Sequence, residues 1–348
     1  MIYYLLPTLA FIGSLCCYQR RWSLNVSYYW VLLLLMALGV GMFRGENIGS
    51  DYQTYKFIFQ TDQDTEIGVS LLMKFFREWG FHVFLAVTFL ISYYLKWLAF
   101  RIESIDPFLS LTLYFGFWFL VYDLNGIRQG LALGFCGMAV VCCMKESPKW
   151  SALLWTALGI CCHYSMILFL PFVFLYKCSY NIKIMLLLTV IAFVISYMTL
   201  PLKIVEMITG DAGNLLLKIS NYATNEEYNS NIILSFSTIH RYCIFLVIIF
   251  IIPKTDLSQI TKGVFIWGSF LCTITYLILS NVEILATRGS LYFRFIELFS
   301  LAAIPYVFYN KGLRLATKVL LYLYVIWQIS LTLSIPDGNL MPFRFIFI

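Results

Sequence analysis

The sequence predicts an all-α, polytopic integral membrane protein with about twelve transmembrane helices and both termini on the outer side. Three observations predict it. Of the 348 residues, 61% are apolar, 18% aromatic and only 12% charged, whereas a soluble chain is about half apolar and about a quarter charged. The mean hydropathy is +0.82. The apolar residues fall in long continuous runs, which read as buried helices rather than alternating strands. Only helices and closed barrels satisfy the backbone in lipid. A soluble enzyme, a nucleic-acid binder and a disordered scaffold are excluded. No stretch is long enough for an appended soluble domain, so residues 1–348 read as one transmembrane domain. The start, Met1 to Tyr4, has no basic n-region, so the first span is expected to stay in the mature chain.

The runs lie at about 2–18, 26–43, 80–100, 107–122, 127–144, 150–162, 164–176, 184–200, 236–252, 263–280, 290–309 and 315–334. The sixth and seventh are short and can be one interrupted element. Orientation follows from basic residues in short loops. The odd-numbered connections carry Arg20, Arg21, Lys96, Arg101, Lys145, Lys149, Lys177, Lys183, Lys254, Lys262, Lys311, Arg314 and Lys318, and these are placed in the cytoplasm. The other eleven basic residues lie outside or near the outer helix ends. Among them Arg outnumbers Lys by seven to four, against four to nine inside. Planar, permanently charged, bidentate groups gathered on one side suit phosphate. The net charge of +6 is therefore not a nucleic-acid signal. The ten cysteines contain no C-x-x-C spacing and read as small hydrophobes.

Two outer connections are long, at about 44–79 and 201–235. In the first, Ile67, Leu71, Leu72, Phe75, Phe76 and Trp79 recur at helical spacing, as in a helix lying on the outer leaflet.

Four constellations on the outer side can carry chemistry. The stretch from Arg44 to Tyr55 places a cation at a helix end, followed by Gly45 and Gly49. Asp51 and Tyr55, four apart, share a helix face. It reads either as a re-entry turn with an Arg–Asp pair or as an anion- and sugar-facing loop. Asp123 to Gln129 holds Arg128, which either snorkels to headgroups or meets an anion, and Gln129, whose amide suits sugar hydroxyls. Cys162-His163-Tyr164-Ser165 places one of three His at a turn, either as a structural residue or as a proton acceptor near neutral pH. Nothing pairs it with metal ligands at zinc spacing. Arg288 to Glu297 holds Tyr292, Arg294 and Glu297, the last two on one helix face where they can pair internally. Arg241, beside His240, is a further cation. Arg44, Arg128, Arg241 and Arg288 stand at four separate outer helix ends, an arrangement suited to a shared anionic ligand.

These stretches resemble the EpsG-like branch of the Wzy polymerases, which join lipid-linked repeat units into O-antigen or capsule-like polysaccharide. The matching pieces are Arg44 to Tyr55 (R-G-x-x-x-G-x-D-Y-x-x-Y), Glu66-Ile67-Gly68, Gly126-Ile127-Arg128-Gln129, His163-Tyr164-Ser165, Arg288 with Tyr292 and Arg294, and Met341 to Phe345. Phe343 stands where the family more often has Tyr. The resemblance implies a glycosyltransferase of the bacterial inner membrane. It would move a growing glycan from undecaprenyl diphosphate to a lipid-linked repeat unit at the periplasmic face. Donor and acceptor are then both undecaprenyl-diphosphate-linked oligosaccharides, a chain-length regulator is a possible partner, and no nucleic acid is involved. On this reading Arg44, Arg128, Arg241, Arg288 and Arg294 face the diphosphate. Tyr52, Tyr55, Glu66, Gln129 and Tyr292 face sugar. Asp51 ranks first as base and His163 second. Glu66 also suits the positive pole of its own helix, and Asp211 lies in a Gly-flanked loop. No cofactor or metal is expected, since arginines neutralise the diphosphate. The alternatives are a flippase of lipid-linked oligosaccharide, which needs polar groups near the midplane, and an O-antigen ligase.

Overall fold

The computed structural model describes residues 2–16, 24–46, 48–61, 63, 65–198, 232–335, 340–343 and 345. Arg20, Arg21, Asp62, Asp211, Arg344 and most of the second long connection lie outside the described residues. Within them the protein is helical, with one isolated bridge between Arg44 and Phe345. The helices are α1 (Ile2–Cys16), α2 (Leu24–Met42), α3 (Tyr52–Thr61), α4 (Ile67–Phe75), α5 (Phe81–Glu103), α6 (Pro107–Gly116), α7 (Ile127–Met144), α8 (Lys149–Cys162), α9 (Leu170–Leu175), α10 (Ile182–Tyr197), α11 (Phe236–Ile251), α12 (Gln259–Ile278), α13 (Glu283–Ala303) and α14 (Lys311–Leu333). Among the described residues six are long and apolar enough to cross a membrane: α5, α7, α11 with its 3-10 extension to Lys254, α12, α13 extended to Val307, and α14. Six shorter apolar helical segments, Ile2–Cys16, Val26–Met42, Pro107–Gly116, Lys149–Cys162, Tyr164–Leu175 and Ile182–Tyr197, have 10–17 residues. The described residues of the predicted apolar runs are largely helical, those at 107–122 and 164–176 each being divided into two shorter pieces, and six rather than twelve of the helices are long enough to span. The protein is a membrane protein.

Helix starts follow local chemistry. Asp106 accepts from the Leu109 amide at 3.0 Å with Pro107 at the first helical position, the preferred pairing of a capping acid and a residue that lacks an amide donor. Ser235, Ser258, Asn181 and Asn310 cap α11, α12, α10 and α14 in the same way. Glu66 stands at the N-cap of α4 but makes no capping bond with its side chain.

The chain forms two compact units, residues Leu168–Glu297 and the remainder, Met1–Ile167 with Leu298–Ile348. In the larger unit α5 packs on α2, α6 and α7; α7 packs on α8; α1 and α14 both pack on α6. Gly41 faces the Phe89 ring and Gly134 faces the Ser92 carbonyl, where a Cβ would stand 3.0 Å from that oxygen. Small residues there let helix backbones approach closely. A buried aromatic cluster fills the middle, with Tyr93–Tyr114 centroids 5.8 Å apart and Phe115–Phe119 centroids 5.5 Å apart. In the smaller unit α9, α10 and α11 pack on α12.

Two lysines depart from the sequence expectation. Lys96 and Lys318 belong by sequence to the loop charges that set orientation, yet both are buried against a carboxylate. Lys318 Nζ lies 2.7 Å from Asp106 Oδ2, which also accepts from Ser14 Oγ at 2.7 Å and Tyr306 Oη at 2.9 Å. This cluster ties α1, α6 and α14 together. Lys96 meets Asp123, described below. A buried lysine with its own carboxylate is a packing element, so neither reports the side of the membrane.

Candidate functional site

Five of the residues singled out by sequence converge in the larger unit. The geometry starts with α4 and α8. Gly68, in the first turn of α4, lies against the carbonyl of Cys161, near the end of α8. α8 ends at His163, whose backbone turns extended. Glu66 at the head of α4 and His163 at the foot of α8 are thereby brought side by side. His163 Nδ1 lies 2.9 Å from Glu66 Oε1, and Arg128 Nη1 donates to Glu66 Oε2 at 2.8 Å. The carboxylate is 6% exposed, the imidazole 12% and the guanidinium 32%. Arg128 therefore keeps an accessible edge while Glu66 is enclosed.

Arg128 is held from a second side by α3. Its Nε donates to Tyr55 Oη at 3.4 Å, and its guanidinium lies 5.6 Å from the Tyr55 ring centroid. Arg128 stands in the first turn of α7, where the helix dipole disfavours a cation. The Glu66 carboxylate offsets that cost, and such a breach of a local rule is expected where function dictates the residue. Gln129 completes the group: its Nε2 is 3.5 Å from His163 Nε2.

The electrostatics follow. Burial by itself would raise the Glu66 carboxyl, but the hydrogen bond from His163 and the charge of Arg128 outweigh it and hold the pKa at about 2. Glu66 is thus an acceptor only, so the His163 proton on this side sits on Nδ1, between ring and carboxylate. The Nε2 lone pair then faces the Gln129 amide. The folded pKa lies below the unfolded value of 4.5. The stability Glu66 contributes is therefore complete above about pH 5 and is lost as pH falls through about 2. Thermal unfolding in detergent across pH should show the wild-type advantage over Glu66→Gln flat at neutral pH and vanishing in acid. An advantage that grew on acidification would contradict the pairing.

A buried polar cluster stands at Asp123, in the turn before α7. Asp123 ends a π-helical turn, Phe119–Asp123, just before α7. Its carboxylate accepts from Lys96 Nζ at 2.6 and 2.8 Å, from Ser92 Oγ at 2.5 Å and from Tyr114 Oη at 2.5 Å. Both side chains of the Lys96–Asp123 pair are 0% exposed. Arg44 Nη1 donates to the carbonyls of Asp123 at 3.1 Å and Leu124 at 2.7 Å. Asn125 Oδ1 accepts from the Asp51 amide at 2.8 Å and from Ser50 Oγ at 3.1 Å. Gly49, at φ +97°, presses on the Leu124 carbonyl, where a Cβ would stand 2.4 Å away; only glycine takes that conformation without strain. The turn that carries Arg128 and Gln129 is therefore clamped by α5 from one side and by the Arg44–Asp51 stretch from the other.

The remaining predicted residues are placed as follows. Arg44 is buried, and its Nη1 donates to main-chain carbonyls of Asp123 and Leu124. Asp51 is half-buried at the start of α3, close enough to Tyr55 to act on it electrostatically. The Tyr52 ring is buried edge-on against Phe81, 5.4 Å between centroids. In the smaller unit Arg241 lies 3.8 Å from Glu297, and its guanidinium stands 5.4 Å from the Tyr276 ring centroid. Arg294, expected from spacing to pair with Glu297, lies within electrostatic reach of it together with Arg241. Tyr292 is fully buried and Arg288 half-buried. Among the described residues no group of three or more His, Cys, Asp or Glu side chains could hold a metal ion.

The sequence reading missed the Lys96–Asp123 pair and the joint use of Glu66 by Arg128 and His163. For the former a signal existed: a lysine inside an apolar run is a candidate for a buried partner.

An all-helical membrane protein with a charged cluster of Arg, Glu and His among its helix ends is the class that fold and site define. The chain belongs to the EpsG family, whose model matches residues 26–345. Membership supports a function of the membrane polysaccharide polymerase type. No curated protein and no solved structure matches the chain.

Proposed function

We propose that the protein is a polysaccharide polymerase of the bacterial inner membrane. In this reading it transfers a growing glycan from undecaprenyl diphosphate to the terminal sugar of a lipid-linked repeat unit at the periplasmic face. The observation that carries the reading is the single buried carboxylate of Glu66 shared by Arg128 and His163, with Tyr55 and Gln129 beside them.

The chemistry runs through these groups. The acceptor hydroxyl attacks the anomeric carbon of the donor. The new C–O bond forms as the bond from that carbon to the phosphate oxygen breaks, and the diphosphate leaves with the electron pair. His163, with its proton on Nδ1 toward Glu66, takes the hydroxyl proton on Nε2. Glu66 stabilises the resulting imidazolium, and Arg128 meets the charge that develops on the diphosphate. Gln129 hydrogen-bonds a sugar hydroxyl. In this reading arginine rather than a metal ion neutralises the leaving group.

Between the two base candidates His163 ranks above Asp51, because the Glu66 carboxylate orients the His163 ring through Nδ1 at 2.9 Å, whereas the contact of Asp51 with the turn before Arg128 is made by its backbone amide. A positioned base is worth about 10²–10⁴-fold. His163→Ala should therefore lose about that factor in a purified assay with lipid-linked repeat units, while Asp51→Asn loses far less. Wild-type turnover in His163→Ala would sink the assignment, and a dead Asp51→Asn beside it would restore Asp51 as the base.

A further inference from the structure

We infer that Gly68 is a positioning residue that sets the Glu66–His163 hydrogen bond; the inference rests on the reading of that pair given above. Gly68 follows Glu66 by two residues, and Cys161 precedes His163 by two. The backbone contact between them therefore lies two residues from the Glu66–His163 bond on both helices. A Cβ on Gly68 would stand 2.9 Å from the Cys161 carbonyl oxygen, 3.1 Å from its carbonyl carbon and 3.4 Å from its Cβ. The first two are backbone atoms of α8 and cannot rotate aside.

A methyl group at residue 68 must be accommodated by moving α4 away from α8. Glu66 moves with α4. Its bond to His163 is 2.9 Å long, so a displacement of a few tenths of an ångström weakens it and a larger one breaks it. Arg128 belongs to α7, and its longer, half-exposed side chain can follow Glu66. The imidazole, attached at the end of α8, cannot. The effect of the contact is thus specific to the carboxylate–imidazole bond. Alanine is a better helix former than glycine, so the substitution does not weaken α4 itself.

Leu71 and Phe75, three and seven residues on, share the side of α4 that carries Gly68. Ile67, Leu71 and Phe75, with Trp79 beyond, are 62–71% exposed along one stripe. The buried face carries Val69 and Met73.

The test is kinetic, on the purified full chain with lipid-linked repeat units, and compares four proteins. Gly68→Ala should lower kcat by about 10²-fold, the scale of an ångström misplacement, with KM little changed. Glu66→Gln should also be slow. The double variant Glu66→Gln/Gly68→Ala should be no slower than Glu66→Gln alone, because the contact acts only through the bond already lost. Gly39→Ala, where a Cβ meets nothing within 4 Å, should match the wild type. A Gly68→Ala enzyme at wild-type kcat overturns the inference, as does an additive loss in the double variant, which would mean general disturbance of the fold. If Glu66→Gln itself turns over normally, the underlying reading of the pair fails and the inference falls with it.

Discussion

Lys96→Met should leave little folded protein in the membrane, and so should Asp123→Asn. Each leaves a buried group without its partner. Lys96 donates twice to Asp123 with both side chains 0% exposed, and breaking such a pair from one side costs about 3–5 kcal/mol. That is a large part of the stability of an ordinary domain. The double replacement Lys96→Met/Asp123→Leu removes both charges and is expected to recover most of the folded protein, since apolar substitutes for a buried pair are often neutral or stabilising. Ser92 and Tyr114 lose their acceptor in that variant, so recovery should be incomplete. Thermal midpoints in detergent and extractable folded protein measure this. Single variants as stable as the wild type would contradict the pairing.

Arg128→Ala should all but abolish polymerisation while the protein still folds. A donor placed where charge develops is worth about 10²–10³-fold in rate. The guanidinium is half-exposed, seated on Tyr55 and Glu66, so its loss leaves no buried cation behind. Glu66 keeps its bond from His163. Arg128→Lys should recover little, because an ammonium cannot hold Glu66 and a phosphate oxygen with the same planar fork. The rate of ladder growth from lipid-linked repeat units decides it, and an alanine variant within a few-fold of wild type would remove Arg128 from the chemistry.

The positions of the helices were legible because a long apolar run in this composition has one solution. The amphipathic character of α4 was legible too, though the structure sorts its residues further. Ile67, Leu71, Phe75 and Trp79 are exposed while Phe76 is buried, because the helix ends at Phe75 and the chain turns through Arg77–Trp79. The membership of the site was partly legible: Tyr55, Glu66, Arg128, Gln129 and His163 were each singled out. Their pairing was not. Glu66 and His163 are 97 residues apart, and hydropathy carries no information on which helix ends meet. Glu66 also read plausibly as a helix-dipole carboxylate, a role its side chain does not take. Lys96 was misplaced for a different reason. Counting basic residues assumes that each lies in a loop, and a lysine paired within the helix bundle violates that assumption. Arg44 read as an anion ligand by its position at a helix end, but the carbonyls left open by the π-turn at Asp123 and Leu124 use its guanidinium instead.

In the proposed reaction this EpsG-family chain forms glycosidic bonds between lipid-linked units. The most direct measurement reconstitutes the purified protein in vesicles with undecaprenyl-diphosphate-linked repeat units, beside a His163→Ala control, and resolves the products by size. A ladder of lengthening glycans with the wild type, and a single unextended unit with the control, is the predicted result. Movement of intact units across the vesicle membrane with no ladder from the wild type would contradict it and make the protein a transporter.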